Sequence, residues 1–337
     1  MHQPAGTPGP VIGQSRKLAI VVAGLAAVVV TMLCAFALPS INSGPNDLPV
    51  GVTGPQQSTT TVTKTLQGDK WDVTTYDSEA RLQAAIQDRE VLGGIVLAPG
   101  RVTAYTATAG GPQAAATLTS TATVIAKQQR AEVTVTDLKP FTEDDPKGAG
   151  FSSATLPMIF GGMFPAVILS RLFAGHSGLR LRLIGGVAFA LVAGFAATAF
   201  LQYGTGSFDG NYLMTSLGVS LGMASLVTTL LGLETLMGMA GFGLGAVVIM
   251  LLGNPLSGFA SGPHWLPDGW AAFGQLLPPG AAGSLLRSNA FFDGTGAGTP
   301  ALTLSAWVVL GLALMLVADR RGAQAARAVA PQSALAG

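Results

Sequence analysis

Charge is what this chain has least of. Only 10% of its 337 residues are Asp, Glu, Lys or Arg, whereas a soluble globular domain carries about 25%. Hydrophobic residues make up 49% and the mean hydropathy is +0.50. That balance excludes an ordinary soluble domain and predicts a membrane protein. The formal net charge of +1 gives no basic surface for a nucleic-acid partner. A single cysteine, Cys34, excludes an intrachain disulfide and a cysteine-built metal site. The three histidines, His2, His176 and His264, stand in three separate places. His264 and Asp268 lie one helical turn apart, yet neither a nucleophile nor a second histidine accompanies them. A phosphate-cradling loop is also missing, since GTGSFDG at 204–210 has no lysine and no Walker spacing. The expectation is a chain that is not an enzyme, without catalytic, cofactor-binding or metal-ligating residues of its own.

What the chain does have is apolar runs. A bilayer core about 30 Å thick takes roughly 20 apolar residues in a helix, and six segments qualify: 18–38, 154–173, 183–203, 212–233, 237–253 and 302–318. The fifth is short and rich in glycine. Lys and Arg in the short flanking segments then set the orientation. Arg16 and Lys17 precede the first run, Arg171, Arg180 and Arg182 separate the second and third, and Arg320, Arg321 and Arg327 follow the sixth. The alternate side offers only Arg287 in its short connections. Both tails, 1–17 and 319–337, are therefore expected in the cytoplasm of a multi-pass plasma-membrane protein, with 39–150 and 254–301 outside. A competing reading takes Arg16-Lys17, the apolar run and Ala35-Phe36-Ala37 as a cleaved signal peptide, although the run exceeds the usual 7–15 residues.

Residues 39–150 change character to that of a small α/β domain. Strand patterns at 48–54, 71–77, 93–99, 101–107 and 131–140 interleave with helical ones at 56–67, 79–90 and 114–130. The resulting order is β-α-β-α-β-β-α-β. Ser78 is placed to cap the second helix, and Leu82, Ala85, Ile86 and Arg89 share one of its faces. Glu143-Asp144-Asp145 either binds Ca²⁺, without the spacing of an EF-hand loop, or forms a polar linker. The domain reads as a binding or gating module.

Within the spans one acid stands out, Glu234. It relays a proton, pairs with an arginine of 171–182, meets a cytoplasmic partner, or closes a helix in interfacial water; the sequence leaves these open. Gly218-x-x-x-Gly222 and Gly241-x-x-x-Gly245 allow close helix approach. Pro157 and Pro165 remove backbone donors from the second span and are expected to kink it, which suits either a pathway lining or plain packing. The segment 254–301 is too apolar for a surface loop and too rich in Pro and Gly for a span. Trp270, Phe273, Leu276 and Leu277 fall on one face of a short helix, Pro278-Pro279-Gly280 breaks the chain, and 281–292 starts a second one. Two short helices dipping into the outer leaflet or capping the bundle fit this pattern.

Three groups of residues carry a family likeness: Asn254-Pro255-Leu256-Ser257-Gly258, Trp265-Leu266-Pro267-Asp268-Gly269-Trp270 and Leu276-Leu277-Pro278-Pro279-Gly280. With the span pattern, they make the chain resemble the ABC-2 type membrane permeases. The domain opening Leu48-Pro49-Val50-Gly51-Val52 looks like the phage-infection-protein (Pip-like) branch. The resemblance implies a polytopic helical fold of six transmembrane helices, a small α/β extracytoplasmic domain between the first two, and short re-entrant helices between the last two. It further implies the permease subunit of an exporter, acting as a homo- or heterodimer in contact with membrane lipid, and the uncharged spans suit an apolar or amphipathic substrate better than an ion. A separate nucleotide-binding ATPase subunit would carry ATP and Mg²⁺. The N-terminal 17 residues lack the amphipathic helix frequent in that family, so docking of the ATPase falls on Arg171, Arg180, Arg182 and Glu234. Pathway or gate residues would be Pro157, Pro165, Trp270, Phe273, Leu277 and Pro278. The alternative is a non-transporting envelope scaffold or receptor whose outer domain binds partners.

Overall fold

The computed structural model describes residues 11–329 except 67, 69, 176, 177 and 268. It is a helical membrane protein carrying a small α/β domain. Among the described residues, five helices are long and apolar enough to cross a bilayer: Ser15–Ile41, Ala149–Leu172, Leu179–Gly204, Tyr212–Met237 and Gly298–Gly322. Met239–Gly253 is apolar but shorter. The first helix, α1 (Val11–Ile41), extends beyond the apolar run at both ends.

The domain that follows contains β1 (Leu48–Thr53), α2 (Gln56–Leu66), β2 (Trp71–Thr75), α3 (Glu79–Gln87), β3 (Gly93–Ala98), β4 (Arg101–Thr106), α4 (Pro112–Gln129) and β5 (Glu132–Asp137). This is the order that the period-2 and period-3.6 patterns predict. Ser78 caps α3, its side chain accepting from the Arg81 N–H. The sheet runs β2-β1-β3-β4-β5, parallel except at the β3–β4 hairpin, where Gly93 pairs with Thr106 and Ala98 with Arg101. Val50, Val52, Ile95, Leu97, Val102 and Ala104 meet α2 and α4 on one face. The opposite face packs Leu82 and Ile86 of α3 with Tyr105 into a core that continues, without a break, into the membrane helices through Phe291 and Phe292. The domain thus completes its second face with the rest of the chain.

The bundle is built from α5 (Ala149–Ser153), α6 (Thr155–Leu172), α7 (Leu179–Ala199), α8 (Tyr212–Met237), α9 (Met239–Val248), α10 (Trp270–Leu276), α11 (Pro278–Phe291) and α12 (Gly298–Val329). Helices α7 and α9 each end in a π-turn, Phe200–Gly204 and Ile249–Gly253. The break between α5 and α6 sits at Ala154, where Pro157 offers no N–H to Ser153. At Pro165 the helix runs on. Helix α8 is the hub, 78% buried over its most apolar stretch, with α6, α7, α9, α11 and α12 all packed on it. Glycines set these approaches. A Cβ on Gly311 of α12 would lie 2.4 Å from the Thr228 carbonyl carbon, and one on Gly194 of α7 would lie 2.2 Å from Ser220 Oγ.

Candidate functional site at the junction of the α/β domain with helices α10 and α11

Past the π-turn at 249–253 the chain folds back on itself. Short 3-10 turns at Pro255–Ser257 and Pro263–Trp265 are separated by Gly258 and Gly262, whose φ values of 58° and 91° favour glycine. Helix α10 then packs its Gly274 directly onto Leu256, leaving a hypothetical Cβ only 1.8 Å from that carbonyl oxygen. The Gln275 amide ties the hairpin together, donating to Ser257 O at 3.0 Å and accepting from Ser284 Oγ at 2.5 Å. Trp307 of α12 donates its indole N–H to Leu276 O at 2.8 Å.

Two details of this segment correct the reading of the sequence. Pro278-Pro279-Gly280 does not separate the helices; it forms the first turn of α11, where a missing N–H costs nothing. Leu277 does not share the face of Trp270, Phe273 and Leu276. Those three are exposed, whereas Leu277 is buried in extended conformation at the N-cap of α11. Helix α10 therefore turns an apolar face outward, while α11 is buried along nearly its whole length. Gly218 and Gly222 of α8 make room for α11: a Cβ on Gly218 would meet Asn289 and one on Gly222 would meet Ala282. Gly241 and Gly245 in turn fit α9 against Leu233 and Leu230 of α8. Both G-x-x-x-G motifs are used within the chain.

The most unusual group here is Arg287 in α11, only 2% exposed. Its guanidinium donates to Gly110 O of the α/β domain at 3.1 Å and to Phe259 O at 2.6 Å, and sits 4.8 Å over the Phe151 ring. Three stretches distant in sequence thus meet at one planar fork. Burial, and then the charge of Arg89, push its pKa down from the ordinary arginine value. Arg89, at φ 61° just beyond α3, reaches the same helix from the sheet side: it donates to Ser288 Oγ and to Thr295 O and lies 4.9 Å over Phe292. Burial lowers its pKa as well. Two arginines bonded to backbone oxygens and aromatic faces therefore staple the α/β domain to α11. Lys139 and Asp293 add an exposed ion pair at 3.3 Å.

The other end of α8 holds the second polar cluster. Met214 bonds Asn289 near the first end, and Glu234 lies twenty residues on, about 30 Å along a helix axis. Glu234 is partly buried and paired with the buried Arg182 at 2.9 Å, which selects one of the roles left open by the sequence. Arg182 also donates to Phe173 O at 2.6 Å and Gly175 O at 3.4 Å, locking the α6–α7 connection onto α8. The pair borders a cavity of about 270 Å³ with Gly175, Leu179, Thr235 and Gly238. Arg171 and Arg180 are exposed and are not among its lining residues.

The remaining residues singled out in the sequence scatter. Pro157 lines an apolar cavity of about 190 Å³ with Met158, Phe200, Met223 and Leu286. Leu277 and Pro278 line another of about 240 Å³ with Leu244 and Trp307. Pro165 is buried and borders neither. Both carboxylate oxygens of Asp145 accept from the N-terminal amides of α5, Ala149 at 2.8 Å and Gly150 at 2.7 Å, while Glu143 and Asp144 are exposed. His264 is exposed; His2, His176 and Asp268 lie outside the described residues. The sequence did not mark Arg287 or Arg89 as key residues, and the only signal was an arginine inside an otherwise apolar helical stretch. Comparison with family models, with curated proteins and with solved structures finds no match.

Proposed function

We propose that this chain is the permease subunit of an ABC-2 type exporter, moving an apolar or amphipathic substrate across the plasma membrane with energy from a separate ATPase subunit. The observation that carries the reading is the helical hairpin α10–α11 between the short apolar helix 239–253 and the last long one. A segment of that kind, apolar outward on α10 and buried on α11, suits the outer-leaflet cap of such a permease. In this reading Met239–Gly253, with its flanking turns, is the fifth of six crossings. Both termini are cytoplasmic, and the α/β domain and the hairpin face outward. Asn289 and Glu234, at the two ends of α8, then sit about one hydrocarbon thickness apart.

The ATPase would dock at the α6–α7 connection. The Arg182–Glu234 pair is a rigid floor rather than a contact, because both partners are already satisfied. Arg171 and Arg180 are exposed cations that an acidic surface of the ATPase would meet. The apolar linings beside Pro157 and Leu277–Pro278 favour a lipid-like cargo over an ion. The test is purification of the tagged chain in mild detergent with identification of what comes with it. A stoichiometric nucleotide-binding subunit supports the reading. A partner held by the α/β domain alone, with no such subunit, supports an envelope scaffold instead.

A further inference from the structure

Strand β5 closes one edge of the sheet, and no described strand lies beyond it. Its residues Glu132-Val133-Thr134-Val135-Thr136 are exposed on both faces. The Glu132 N–H bonds Gly100 O and the Leu138 N–H bonds Thr106 O, so even-numbered residues face β4 and the N–H and C=O groups of Val133 and Val135 point to the open edge. Val133 and Val135, 40% and 45% exposed, lie on the face covered by α4, whose Val124 is 54% exposed. Four consecutive β-branched residues without charge, proline or bulge make an unprotected edge. The opposite edge, β2, carries Asp72 within the strand.

We propose that β5 pairs antiparallel with β5 of a second copy of this chain, about a two-fold axis at Thr134, merging the two sheets. The sequence around Thr134 is self-complementary in that register, as an isologous contact requires. Val133 faces Val135 of the second copy and exchanges both backbone hydrogen bonds with it. Thr134 faces Thr134, and Glu132 faces Thr136, so no carboxylate opposes another. Shifting by one residue would set Glu132 against Asp137 and bonded groups against free ones. Shifting by two one way would set Val133 against Asp137, and the other way would set Ala131 against Val135 and place the axis on a hydrogen-bonded Val133 pair. Two copies anchored in one membrane also present this edge at the same height. The inference deepens the dimeric part of the permease reading and rests on it for the two copies.

Thr134 and its symmetry mate form a non-hydrogen-bonded pair, with Cα atoms about 4.5 Å apart, within disulfide reach. The full chain in membranes, carrying Cys34→Ala and Thr134→Cys, should therefore form a reducible dimer on mild oxidation. Val135→Cys should cross-link at least fivefold less, and adding Val133→Lys to Thr134→Cys should abolish the dimer. Thermal unfolding of the unoxidised variants checks that these exposed substitutions leave the fold intact. Cross-linking through Val135→Cys instead, or to a different protein, overturns the proposal. So does absence of any cross-link. If that absence accompanies a dimeric mass and a bound ATPase, the permease reading stands and only this surface is wrong.

Discussion

Replacing Arg287 by alanine removes the one side chain that joins Gly110 O, Phe259 O and the Phe151 ring. Each charge-assisted bond contributes about 1.5–3 kcal/mol, and each buried carbonyl left without a donor costs about 1–3 kcal/mol. The desolvated cation–π contact adds about 2 kcal/mol. Against these stands the desolvation of the guanidinium itself, several kcal/mol that the substitution recovers. The balance for losing one member of a buried charged arrangement is about 3–5 kcal/mol of destabilisation. Because the contacts tie the 107–111 turn and the 255–266 segment to α11, the loss should appear there first. Hydrogen exchange in detergent should show protection of both segments falling by about 100-fold or more, since 1.4 kcal/mol is a factor of ten. Strands β1 and β3, at the centre of the sheet, should change far less. Arg287→Leu separates a staple from a tolerated burden: it removes the charge while keeping much of the volume. If Arg287→Leu is as stable as the parent, or if Arg287→Ala leaves both segments protected within threefold, the arginine does not hold the junction.

Glu234→Gln should cost about 3 kcal/mol by leaving Arg182 buried without its carboxylate, seen as faster proteolysis in the 171–182 connection, and Arg182→Met added to Glu234→Leu should recover much of it. Gly311→Val should destabilise by about 2–3 kcal/mol through collision with the Thr228 carbonyl, measured by thermal unfolding in detergent, whereas Gly243→Ala, which meets nothing within 4 Å, should be nearly neutral. With Cys34→Ala, cysteines at Trp270 or Phe273 should react with a membrane-impermeant thiol reagent added outside; labelling only from the cytoplasmic side would invert the proposed topology.

The α/β domain was legible because its signals are local. Ser78 before an amphipathic run, Leu82, Ala85 and Ile86 at helical spacing, and the alternation around Trp71 each dictate their own element. The long spans were legible for the same reason, a sustained apolar length. Glu234 was recognisable as unusual, but its choice of Arg182 depends on how α7 meets α8, which no local pattern encodes. Arg287 was passed over because its acceptors lie 177 and 28 residues away and are backbone oxygens with no sequence signature. The Pro278-Pro279 pair was misread for a different reason. Proline ends a helix from within yet begins one at the first turn, and only the position of the buried partner surface on α8 decides which.

The central claim, that this chain works with an ATPase docked at the α6–α7 connection, is most directly tested by ATP hydrolysis of the assembly that co-purifies with it. The account predicts a stoichiometric nucleotide-binding subunit with measurable turnover. Arg171→Glu with Arg180→Glu should remove at least tenfold of that turnover and release the subunit, while leaving the thermal unfolding of the chain unchanged. A folded preparation with no nucleotide-binding subunit, or one whose ATP hydrolysis is indifferent to both charge reversals, would contradict it.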